Sequence, residues 1–201
     1  MLINSKYLLT DWNLSCIIWL LTLYKDTQMN IFYTDICAQQ CAKNMCDIHV
    51  NKMILETAQL LSTAHDEHGT WVEGMYKPTH KNHPSAIWAR ETGGNYAWLY
   101  EHFDALIAEK LHRTDKVHAS SRLLTALYEI PKPLYSSIGA ITPMPQCMPD
   151  EFKTEDSTVA YKKYYVAKLL EWISRDKPLR PKWTNASIPE WISHTGYIQN
   201  A

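Results

Sequence analysis

Apolar side chains recur along this chain mostly at helical spacing. Val50, Met53, Ile54, Thr57, Ala58 and Leu61 fall in one stripe of a helix predicted over 47–64, with Asp47 as its N-cap. Pro84 suits the first turn of a second helix that carries Ile87 and Trp88. Gly93 and Gly94 interrupt that helix, and the pattern resumes over 95–112 with Leu99, Phe103, Leu106 and Ile107. A shorter helix is predicted over 120–128 and a last one over 157–174. Five prolines between 131 and 149 dictate a long irregular connection. The run from Met29 to Asp35 is short and strand-like, the edge of something buried. The expected fold class is all-α: a mostly helical single domain with a short N-terminal extended segment and a long Pro-rich connection. The expected core contains Val50, Ile54, Leu61, Trp88, Leu99, Phe103, Leu106 and Leu169.

Residues 1–28 follow a different pattern. Their largely apolar run over 16–24 is too short to span a bilayer, and no small-residue cleavage site follows it. The pattern restarts at Met29. The expected organisation is therefore an extension over 1–28, outside the natural domain or docked on it as a helix, a domain over 29–185 and a tail over 186–201.

Composition narrows the class without deciding it. A chain of 201 residues with 46% hydrophobic and 20% charged residues can bury a core without staples, and it is neither disordered nor a membrane bundle. The formal net charge of -1 excludes a uniformly basic nucleic-acid coat but allows a local basic patch. Eight Trp and twelve Tyr beside three Phe give an excess of rings with a polar handle. Five cysteines form no even framework, which fits a reducing compartment, here expected to be the cytoplasm, of the host if the chain is phage-encoded. Cys37, Cys41 and Cys46 are spaced more widely than a zinc ribbon's pairs, so a metal site would need His80 or His83 to join them.

Three groups of residues can carry chemistry. His49, Lys52, Glu56 and Gln59 line one edge of the 47–64 helix within an arc of roughly 80°; they make either an acid/base cluster or a solvated edge with an ordinary Lys52–Glu56 pair. The loop from Lys77 to Pro84 holds His80, Lys81 and His83, and Arg90 follows, which makes it an anion site or a solvated polar loop. From 160 to 182, seven Lys/Arg stand against Glu171 and Asp176. Tyr161, Tyr164 and Tyr165 interleave with Lys162, Lys163 and Lys168, the composition of a nucleic-acid contact.

The run from Cys46 to His65, with Lys77 to Pro84 after it, resembles a family of small phage-encoded proteins whose activity is uncharacterised. The order of parts also resembles, more distantly, the small phage pyrimidine-dimer DNA glycosylases with abasic-site lyase activity, the endonuclease V type. Asp47, His49 and Glu56 reproduce that family's D-x-H with a catalytic glutamate seven residues beyond the histidine. Glu109 and Arg113 resemble the Glu and Arg that end its middle helix, and Tyr161 to Lys168 is similar to its closing Tyr- and Lys-rich segment. The family's nucleophile is the α-amine of a small residue exposed by loss of the initiator Met, where this chain has Met29-Asn30. Its arginines flanking the glutamate are replaced here by Leu55 and Gln59.

The resemblance implies a DNA base-processing enzyme, a glycosylase/lyase acting on damaged or modified bases in duplex DNA without metal or cofactor. It implies Glu56 and His49 as catalytic residues; in place of the family's α-amine, Lys52, one helical turn from both, is the expected amine nucleophile. The expected DNA contacts are His80, Lys81, His83, Arg90, Arg113, Tyr161, Lys162, Lys163, Tyr164, Tyr165 and Lys168. Two alternatives stand beside it: a metal-assisted nucleotide hydrolase using His80, His83 and the cysteines, and a non-enzymatic phage accessory protein that binds a partner through exposed Trp and Tyr.

Overall fold

The computed structural model describes residues 29–196 and 198, so the expectation for 1–28 lies outside the described residues. Among these, the regular structure is entirely helical. The α-helices are α1 (Ala38–Asn44), α2 (Asp47–Glu67), α3 (Pro84–Ala89), α4 (Gly93–Thr114), α5 (Leu124–Tyr128), α6 (Ser157–Ser174) and α7 (Glu190–Ser193). Short 3₁₀ turns cover Ala119–Leu123, Lys132–Ser137 and Asp150–Phe152.

The two long helices, α2 and α4, pack along each other, and α1 lies against α4. All eight expected core residues are buried. Thr92 caps α4 by accepting from the Asn95 amide, so the two glycines open that helix instead of interrupting its predecessor. They are needed there. A Cβ on Gly94 would stand 2.2 Å from the Ala140 carbonyl oxygen, and one on Gly93 would stand 2.6 Å from that of Leu134. The Pro-rich connection thus lies directly on the start of α4.

The expected strand near residue 31 is absent. Asn30 Oδ1 accepts from the amides of Ile31 (2.8 Å) and Phe32 (3.0 Å), and Phe32 takes a positive φ of 53°. This side-chain turn replaces a sheet ladder and folds the segment back into the core.

Asp47 is the first residue of α2, not its cap. Its carboxylate holds the C-terminal segment by accepting from the amide and hydroxyl of Thr184, while its own amide donates to the Lys182 carbonyl. Trp183 is buried beside it and donates from its indole to the Asn44 carbonyl. No helix among the described residues is long and apolar enough to cross a membrane.

Candidate active site

Glu56 sits midway along α2 where that helix meets the turn at Asn30. Its side chain is 15% exposed. The two carboxylate oxygens face two nitrogens from different elements. Oε1 lies 3.4 Å from Lys52 Nζ, one turn earlier on α2, and Oε2 lies 3.4 Å from the backbone nitrogen of Asn30. Asn30 is 5% exposed, and its side-chain amide donates to the Cys147 carbonyl at 2.9 Å. Cys147 Sγ in turn lies 3.3 Å from the buried Ser85 hydroxyl, and the Ser85 amide donates to His83 Nδ1. A continuous line of contacts therefore joins α2, the N-terminal turn, the Pro-rich connection and the start of α3.

His49 does not share the exposed edge with Lys52 and Glu56. It is buried, between the rings of Phe32 (4.7 Å) and Trp172 (4.6 Å). The Tyr165 hydroxyl accepts from the Cys46 amide at 2.9 Å and stands 2.9 Å from His49 Nδ1. A hydroxyl has one proton and two lone pairs, so Tyr165 either gives its proton to Nδ1 or accepts one from it, according to the tautomer of His49. Cys46 Sγ lies 3.7 Å from the same Nδ1, and burial raises this thiol's pKa, which keeps it protonated.

Lys81 and Arg90 are already paired. Lys81 Nζ reaches Asp66 at 2.7 Å and Glu67 at 2.8 Å, and Arg90 approaches Glu67 at 3.5 Å. The hydrogen bond from Lys81 holds the Glu67 carboxyl below its usual range, and the bond to Asp66 raises the Lys81 ammonium. Arg90 also donates to the Lys81 carbonyl at 2.7 Å. His80 is exposed, whereas His83 caps α3, and burial lowers its pKa.

Arg113 is a structural residue in this fold. Its side chain is 1% exposed, and it binds Glu109 (2.9 Å), Asp47 (3.1 Å) and the carbonyls of Met45 and Lys43. The tyrosines of α6 are also inside. Residues 161, 164, 165 and 168 fall at the spacing of one helical stripe, and that stripe faces the core. Tyr161 donates to the Pro145 carbonyl and accepts from the Cys147 amide, and Lys168 Nζ lies 5.5 Å above the Tyr164 ring. Only Lys162 and Lys163 of that segment's expected contacts are partly exposed.

The cysteines and histidines disperse: Cys41 Sγ donates to the Asp35 carbonyl, and Cys37 is exposed. Among the described residues no three His, Cys, Asp or Glu side chains gather as a metal site would require. The residues that the sequence did not single out for the site are Cys147, Ser85 and the side chain of Asn30. Each acts through a contact 62 to 117 residues distant in the chain, which local spacing does not reveal.

Residues 29–123, a little under half of the chain, match the family model of pyrimidine dimer DNA glycosylase. The matched segment contains the Asn30 turn and α1 to α4, and therefore Asn30, His49, Lys52 and Glu56. It supports a DNA-glycosylase-like function, with DNA as substrate, at the level of the family. No curated protein and no solved structure matches the chain.

Proposed function

We propose that this protein excises damaged or modified bases from duplex DNA and then cleaves the strand at the resulting abasic site. The observation that carries this reading is the Glu56 carboxylate held between Lys52 Nζ and the Asn30 backbone nitrogen within the matched segment. A carboxylate at this point stabilises the positive charge that develops on the deoxyribose as the glycosidic bond breaks. The target nucleotide must leave the stack to reach it.

The amine that attacks C1′ is Lys52. Asn30 N is bonded to Met29 in this chain, and the lone pair of a peptide nitrogen is delocalised into the carbonyl. The Lys52 ammonium gives its proton to water, so that Glu56 stays ionised, and the neutral amine forms a bond to C1′ as the C1′–base bond breaks and the base takes up a proton from water. The attached nitrogen loses a proton, its lone pair breaks the C1′–O4′ bond as O4′ is protonated, and the iminium so formed acidifies C2′; loss of the C2′ proton breaks the C3′–O bond and releases the 3′ phosphate. His49, enclosed by rings, fixes α2 against α6 through Tyr165 and sets where the carboxylate stands. Partly exposed Lys162 and Lys163 and exposed His80 supply phosphate contacts; Lys81 and Arg90 add to them only by giving up their carboxylate partners.

The test is incubation with duplexes carrying an abasic site or a cyclobutane pyrimidine dimer, scored for strand scission, with Glu56→Gln alongside. Scission by the natural sequence that falls about 100-fold or more in Glu56→Gln, with DNA affinity retained, is the expected result. Absence of scission on either duplex contradicts the reading.

A further inference from the structure

Asn30 uses all its amide atoms. Oδ1 accepts two successive backbone amides, and Nδ2 donates to the Cys147 carbonyl, which lies 117 residues away in the chain. The same residue's backbone nitrogen faces Glu56. Three further contacts hold the partner side of this link: the Cys147 amide donates to Tyr161, Tyr161 donates to Pro145, and Cys147 Sγ meets Ser85. The Pro-rich connection is thus pinned to α6 and α3 on one side and to the Asn30 turn on the other.

From this we infer that Asn30 is a positioning residue, whose buried side chain locks the Pro-rich connection to the backbone facing Glu56 and thereby fixes the carboxylate's place. The assignment rests on the glycosylase reading for its consequence in catalysis, but not for its geometry. Asn30 is buried, so it acts without touching DNA. An alanine there removes both the turn and the link to Cys147. A serine keeps a short acceptor for the turn and loses only the reach to Cys147.

The experiment uses the full chain and two readouts. The first is independent of activity: NMR titration of the Glu56 carboxyl together with hydrogen exchange of the residue-30 amide. In Asn30→Ala and Asn30→Ser the carboxyl is expected to titrate at higher pH than in the natural sequence, because a stabilising N–H donor is displaced. The amide is expected to exchange at least about 10-fold faster. Unchanged titration and exchange in the folded serine variant overturn the proposal, and this variant decides if the alanine variant does not fold. The second readout is single-turnover scission of an abasic duplex. A rate drop of about 10- to 100-fold in Asn30→Ser, with DNA affinity within about 2-fold, agrees with misplacement of a reacting group. An equal loss of rate and affinity overturns it. A natural sequence that leaves the duplex intact refutes the glycosylase reading alone, and the titration still decides the role of Asn30.

Discussion

At the scale of single residues, burial decides what each ionisable group can do. His102 is fully buried on α4, stacked on Trp98 and hydrogen-bonded through Nδ1 to the Ala38 carbonyl at 3.0 Å. Among the described residues its Nε2 has no hydrogen-bond partner, and burial pushes its pKa down to about 4. The unfolded chain takes up a proton near pH 6.5 while the folded chain does not. Stability is therefore complete above pH 6.5 and is lost as the pH falls toward 4. Between pH 7 and pH 5 this one ring is expected to remove about 2 kcal/mol. Urea unfolding at the two pH values checks it, and in His102→Leu the difference between them should shrink by about that amount. Glu56 and Lys52 are less enclosed, the first half-buried and the second exposed.

At the scale of elements, helices were readable in the sequence because their apolar stripes are local. The last helix falls at 157–174 as its pattern dictates, and Pro84 opens α3. Helix α1 was not readable: seven residues with three small or apolar buried positions give too little periodicity. The same stripe logic explains α6. Its tyrosines alternate with lysines in sequence, which looks like a nucleic-acid surface, yet their 3.6-residue period turns the rings inward and leaves Lys162 and Lys163 outside. At the start of α4, Gly94→Ala is expected to force the Pro-rich connection off the helix and cost about 1–3 kcal/mol, read as a shift in thermal unfolding. A substitution at Gly139, with open space around its Cβ position, should cost much less.

At the scale of the whole molecule, two long-range ties close the fold. One is the Asn30–Cys147 link behind the site. The other is the cluster of Arg113, Glu109 and Asp47, which joins the end of α4 to the start of α2 and holds Thr184. Arg113→Ala would leave two carboxylates with little water access and no cation, and it is expected to cost about 3–5 kcal/mol in equilibrium unfolding. Thr184→Ala removes one hydroxyl bond and should cost about 1 kcal/mol. The glutamate and its lysine were legible in the sequence because both lie on one helix, one turn apart. The backbone nitrogen on the other side of the carboxylate was not, because a tertiary turn delivers it.

The central claim is that the α2 carboxylate serves an amine attacking deoxyribose, and borohydride trapping on an abasic duplex tests it most directly. The natural sequence is compared with Lys52→Ala and with a form that begins at Met29. A covalent protein–DNA adduct that disappears in Lys52→Ala is the predicted result. An adduct that survives Lys52→Ala and requires the Met29 start moves the nucleophile to the terminal amine. The absence of an adduct in all three contradicts the lyase account.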